Sequence, residues 1–425
     1  MPSSAPTDPA ALPWELAPRP DEDRDGPILQ TAGDRPSTDT LPALIDPAAD
    51  HPPETDPDGR RADVEEQHRR IIGFLDRHGY EGVVLGRADS VAWFTAGGDL
   101  VRDYACERSS VLIFVNRKCR AVLTDNVQSA RVFEEEIAGL GFQLKERAWY
   151  DDPERLVAEL AHNKRIASDC PLPCCTEEFQ ALRELRLTLT RRERQRLREL
   201  GRTVTRAVEA TCRNFTPGET EADIAGHLAH RLIREGVVPV ELRVASDDRL
   251  ARFRQPIFKA APIRHHATIA VVGRRHGLCA GVTRTVSFGP IDPEIRAAHG
   301  LAAMVDATCI FFSRPGEPVR EVFRRAKRIY EKFGHPDEWT LDYQGHLTGY
   351  APCEGRLLPD SELVLQPDMA LRWSPSVGAA RSEDTVVIDG RGGYEVVTEA
   401  QHWPKLEVVV KGYTMTRPGI LERTK

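Results

Sequence analysis

The chain has 425 residues, 40% hydrophobic and 29% charged, enough apolar material for a sizeable core and too much length for one ordinary domain. Its net charge of −7 is uneven: residues 1–60 carry thirteen Asp and Glu against four Arg, and the remainder is close to neutral. This balance argues against a basic nucleic-acid surface, the first residues lack the basic-then-apolar order of a secretory leader, and no apolar run approaches the roughly 20 residues of a membrane span.

Residues 1–60 also hold thirteen of the 31 prolines. Such a stretch cannot bury enough apolar surface to offset its ordering entropy, so it reads as a disordered acidic tail. Asp21-Glu22-Asp23-Arg24-Asp25-Gly26 imitates the start of an EF-hand loop, but Ala32 stands where the loop needs Glu and Pro27 follows the glycine. Calcium binding is therefore not expected. Trp14, Ile28-Leu29 and Leu41–Ile45 are apolar patches able to dock on a folded surface.

From about residue 62 the pattern becomes structured. Val64–His78 has helical spacing and stops at Gly79; Gly82–Leu85 is a short buried strand. Trp93 and Phe94 read as core aromatics. Ser109–Val115 and Ala121–Leu123 make a strand pair around Asn116-Arg117-Lys118; Val127–Ile137 reads as a helix and Arg165–Ser168 as a strand. This alternation predicts an α/β unit over 62–189. Nine scattered cysteines predict reduced thiols and a cytoplasmic setting. The cluster Cys170-Pro-Leu-Pro-Cys174-Cys175 lacks a second ligand pair for structural zinc.

Thr190–Arg213 is a long amphipathic helix, and Thr220 with Asp223 caps a second one over Ile224–Glu235. Then comes a hairpin: Thr268–Val272, turn residues Gly273–Gly277, and a strand from Val282. Val282, Val286 and Phe288 share one parity with Arg284, while Thr283, Thr285 and Ser287 take the other, which predicts one face in the core. Helices follow at Ile295–Phe311 and Arg320–Lys332.

Four segments carry a resemblance. GLCAGVTRTVSFG is similar to G-Y-x-x-D-x-T-R-T. LRVASDDRLARFRQP is similar to a V-A-x-D-E-R pattern that ends in R-H-P. EWTLDYQGHLTGYAPCE is similar to E-W-x-x-H-H-Q-G-G-x-T-G-Y-x-x-R-E, and MALRWSP to M-x-x-x-x-E-P. Taken in chain order they resemble the aminopeptidase P/creatinase, or pita-bread, family. The resemblance implies an α/β (α+β) fold, with a creatinase-like N-terminal domain at 62–189 and a pita-bread domain at 190–425. It places the family's five metal-ligand positions at Ala270, Gly281, Tyr343, Ser374 and Glu383, and its proton-moving histidine at Gln255. One carboxylate, a phenol and a hydroxyl do not make a dinuclear site, so neither a metal nor a cofactor is expected.

Two readings remain open. The first is a metal-independent C–N hydrolase or binder of a small amide, amidine or amino-acid-derived ligand. Its catalytic candidates are Glu383, His346 and Glu354, with His346 the group expected to titrate near pH 7. Its substrate-binding candidates are Arg284, Tyr343, Tyr350, Arg372 and Gln255. The second is an inactive pseudo-peptidase acting as a scaffold. The resemblance further implies a homodimer; no nucleic acid or membrane partner is expected.

Overall fold

The computed structural model describes residues 57–424 apart from 102, 103, 105 and 153. The EF-hand-like segment and the Trp14, Ile28-Leu29 and Leu41–Ile45 patches lie outside the described residues. The first helix, α1 (Pro57–His78), begins inside the stretch expected to be disordered. Proline suits a first helical position, where the missing amide would have had no partner anyway.

A first sheet takes up the next part of the chain. It comprises β1 (Gly82–Arg87), β2 (Arg108–Val115), β3 (Arg120–Asp125), β4 (Gln143–Arg147), β5 (Ile166–Ser168) and β6 (Thr176–Glu177). Their spatial order is β4-β3-β2-β1-β5-β6. The β2–β3 turn is held by Asn116, whose Oδ1 accepts from the amides of Lys118 and Cys119 at 2.8 Å each. Trp93 and Phe94 sit on a short helix, α2 (Ala88–Phe94), and are buried as expected. The helix expected over Val127–Ile137 is instead one α turn, Ser129–Arg131, running into a π-helical turn, Val132–Glu136.

The helices α3 (Arg191–Asn214) and α4 (Glu221–Arg234) both start with complete capping boxes, Thr190 with Glu193 and Thr220 with Asp223. They lead into β7 (Val238–Ser246), β8 (His266–Arg275) and β9 (Leu278–Phe288). The hairpin differs from expectation in two ways. Its turn is only His276-Gly277, both at positive φ (52° and 76°), so Gly273, Arg274 and Arg275 stay in the strand. A two-residue turn of this kind matches the strand twist and keeps the ladder paired to its end. And β9 is buried along its whole length, on both faces. One face packs on α3, where a Cβ added to Gly273 on neighbouring β8 would lie 2.7 Å from Val204 Cγ2.

Two helices follow, α5 (Pro293–Phe312) and α6 (Val319–Lys332). By length and mean hydropathy, 1.3, α5 would suit a membrane span, contrary to the expectation that no such run exists; it is mostly buried and belongs to the second hydrophobic core. The remaining strands are β10 (Gly345–Thr348), β11 (Gly355–Arg356), β12 (Ala370–Trp373), β13 (Ser376–Val377), β14 (Ala380–Arg381), β15 (Asp384–Ile388), β16 (Tyr394–Val396), β17 (Lys405–Val410), β18 (Tyr413–Pro418) and β19 (Ile420–Arg423). They build a second sheet ordered β11-β10-β12-β15-β16, while β19 extends the hairpin sheet as β19-β9-β8-β7.

Close packing of α3 against the chain after β16 rests on Gly201, where an added Cβ would lie 2.7 Å from the carbonyl carbon of Val397. Glycine to alanine in an ordinary helix interior stabilises by about 1 kcal/mol. Here Gly201→Ala is expected to do the opposite, lowering stability by about 1–3 kcal/mol through overpacking, measured by urea unfolding.

Candidate functional site

Register places the site. On the hairpin sheet, Arg243 pairs with Ala270 and Ala270 with Thr283; two rungs on, Glu241 pairs with Val272 and Val272 with Gly281. Directly opposed residues point to one face, so these two rungs present Arg243, Glu241, Thr283 and two small residues together. On the second sheet one rung runs Arg356, His346, Arg372, Thr385. The two faces meet where the Thr385 hydroxyl donates to the Gly281 carbonyl and receives its amide, both at 2.8 Å.

Between them lies a pocket of 350 Å³, whose polar lining is Glu241, Arg243, Gln255, Tyr343, His346, Arg372, Ser374, Arg381 and Glu383. At its base Arg372 Nη1 lies 3.2 Å from Glu383 and 3.1 Å from Glu241. Arg372 and Glu383 are only 3% and 2% exposed. The Thr283 hydroxyl also donates to Glu383. Gln255 bridges two charged groups, accepting from Arg243 and donating to Asp342 at 2.6 Å. Asp342 in turn pairs with Arg381. The Tyr343 ring lies 4.4 Å under the Arg356 guanidinium and 5.9 Å from the His346 ring, centre to centre.

Charge states follow from these contacts. Burial works to raise the Glu383 carboxyl, but the Arg372, Arg243 and Arg381 guanidinium groups and the Thr283 hydroxyl outweigh it, and the carboxyl lies below its ordinary range. His346 is pushed down to about 4, first by burial and then by Arg372, against the opposing pull of Glu383 and Glu241. It is therefore neutral at pH 7, contrary to the expectation that it titrates there. Its Nδ1 and the Nε of Arg372 are buried with no hydrogen-bond partner among the described residues.

Of the sequence candidates, Glu383, His346, Tyr343, Arg372 and Gln255 line this pocket. Three do not. Arg284 is 1% exposed on the opposite face of β9, bonded to Asp384 at 3.1 Å and facing Glu209 of α3 at 3.7 Å. Glu354 is buried against Arg186 at 2.8 Å, and Arg186 reaches Asp89 of α2 at 3.2 Å, so this carboxylate ties together segments distant in the chain. The Tyr350 hydroxyl donates to Glu193 at 2.7 Å, and the residue lines a separate cavity of 390 Å³. Of the five ligand-equivalent positions, Tyr343, Ser374 and Glu383 line the pocket, Gly281 backs onto Arg372, and Ala270 faces a side recess shared with Arg243 and Arg381. Among the described residues no group of three or more His, Cys, Asp or Glu is placed to hold a metal ion.

Sequence reasoning missed Glu241, Arg243, Asp342 and Arg381. A signal existed for the first two: charges two apart in Val238–Ser246 share one face of a strand that is otherwise largely apolar.

Comparison with known proteins matches residues 195–390 to Metallopeptidase family M24. A probable dipeptidase PepE of Mycobacterium bovis is 23% identical over 318 residues, covering 68% of this chain and 84% of that one. Among solved structures, dipeptidase PepE from Mycobacterium ulcerans superposes with a TM-score of 0.69 at 19% identity, covering 85% of this chain and 99% of its own. The prolidase from Pyrococcus horikoshii also reaches 0.69, at 17% identity and with coverage of 79% and 99%. The mixed α/β architecture with several sheets is the pita-bread fold of these neighbours.

A histidine held neutral by the fold makes folding acid-sensitive. Its protonation favours the unfolded chain, so its contribution is fully present above the ordinary value of 6.5 and is lost as pH falls from there towards about 4. His346→Gln is expected to flatten the pH dependence of stability in that window, measured by unfolding at pH 4.5, 5.5 and 7.0. An unchanged slope would refute the assignment.

Proposed function

Because this chain is a pita-bread protein of the aminopeptidase P/creatinase type, with a metallopeptidase family M24 domain at 195–390, we propose that its pocket binds a small amide, amidine or amino-acid-derived ligand without a metal ion. The observation that carries this reading is the convergence of Glu383, Arg372, His346, Tyr343 and Gln255 on one pocket of ligand size. The donor set supports it. Of the five positions that carry metal ligands in the family resemblance, only Glu383 offers a carboxylate, and a guanidinium is already bonded to it. Tyr343 and Ser374 are poor ligands for hard or borderline cations, and Ala270 and Gly281 have none to give. These residues do not fit a two-metal centre.

In this reading Glu383 accepts hydrogen bonds from N–H groups of the ligand. The Tyr343 hydroxyl, 46% exposed with its residue, and Gln255 reach a carbonyl or amide. Arg356 and Arg243 supply positive charge at the rim. Hydrolysis would need a base to take a proton from water. Both candidates are weak bases, His346 at about 4 and Glu383 below its ordinary range. The balance therefore favours binding over turnover. The small-molecule partner, the homodimer and the cytoplasmic setting expected above belong to the same proposal.

The test is a thermal-shift screen of EDTA-treated protein against small amides, amidines, N-blocked amino acids and prolyl dipeptides. At a hundredfold excess over Kd a ligand adds about 2.7 kcal/mol, which is readily detected. At least one class is expected to raise Tm in the parent chain and not in Tyr343→Ala or His346→Ala. Silence from every class, or dipeptide hydrolysis that EDTA abolishes, would overturn the proposal.

A further inference from the structure

The Gly281–Arg372 contact carries a more specific conclusion. A Cβ built on Gly281 would lie 2.6 Å from Arg372 Cδ and 2.9 Å from its Nη1. The stem and one guanidinium nitrogen thus occupy the space into which any side chain at position 281 would extend. That same Nη1 lies against two carboxylates, Glu241 of β7 at 3.1 Å and Glu383, just before β15, at 3.2 Å. His346 stands directly opposite Arg372 on the neighbouring strand, with its Nδ1 unpartnered.

We infer that the Arg372 guanidinium is a tethered cation that takes the place and charge of a metal ion, and that Gly281 is the residue that makes room for it. The inference rests on the reading above that 281 and 383 are former ligand positions. Its physical logic is charge balance. Two carboxylates brought to one point, one buried and one half-buried, repel each other unless a cation lies between them. A divalent ion does this from solution, at a concentration-dependent cost, whereas an arginine does it permanently and cannot be chelated or deprotonated. The arrangement also defines a latent site. Without the guanidinium, Glu241 and Glu383 face the vacated space, which leaves two carboxylates for an added divalent cation to balance.

The experiment compares the full chain with Arg372→Ala and Arg372→Lys, each dialysed against EDTA and titrated with MnCl2 and ZnCl2 by calorimetry and thermal shift. The parent is expected to show no saturable binding of either ion. Arg372→Ala is expected to have a lowered Tm that recovers on saturation with Mn2+ or Zn2+. Arg372→Lys, which keeps a tethered positive charge, is expected to gain nothing from either ion. Stoichiometric Mn2+ or Zn2+ on the parent, lost in Glu383→Gln, would overturn the inference, as would Arg372→Ala that folds and ignores both ions. If Arg372→Ala does not fold, Gly281→Ala decides: a drop in Tm of several degrees supports the packing, and an unchanged Tm overturns it. Binding of amide ligands by the parent is read separately, so failure of the metal arm and failure of the pocket reading are distinguishable.

Discussion

A guanidinium group buried between two carboxylates is the constraint on which the site depends. Removing charges from water costs several kcal/mol per ion, and breaking such a pair costs about 3–5 kcal/mol because the surviving charge is stranded. Arg372 therefore dictates its surroundings. Position 281 must lack a side chain, because the arginine stem lies where one would go. Glu383 is held ionised by its three arginines and the Thr283 hydroxyl. His346, beside the same guanidinium and away from water, is held neutral.

The protein contains other buried charge networks, and the contrast separates architecture from site. Asp306 and Asp384 share Arg417, while Arg284 joins Asp384 and faces Glu209. That network ties α3, α5, β9, β15 and β18 together. Arg186 does the same between α2 and the loop holding Glu354. In all three networks arginines meet carboxylates at similar distances. What distinguishes the Arg372 cluster is that the arginine and both of its carboxylates line one pocket.

Local features were readable in advance because they depend on neighbours in sequence. The Thr220–Asp223 capping box, the strand pair around Asn116 and the buried Trp93 and Phe94 are of this kind. The hairpin was half readable. Alternation found the strands, but the turn proved shorter and the strand doubly buried, because a second sheet covers the face that alternation leaves to solvent. Arg284 shows what the pattern could have said. It shares parity with Val282, Val286 and Phe288, which marks the core face, and it is indeed paired inside the core rather than in the pocket.

The sequence by itself determined which groups this chain owns at the decisive positions: small residues at 270 and 281, a tyrosine at 343, a serine at 374 and one carboxylate at 383. It also determined the hairpin that carries 270 and 281, since alternation and turn residues are local. The tertiary structure alone decided which charges meet. Glu241 and Arg372 lie on two strands and Glu383 just before a third, separated by up to 142 positions, and only register between strands and packing between sheets brings them to one point. Burial then sets their charge states, because the free energy of an ion depends on its surroundings and not on its neighbours in the chain.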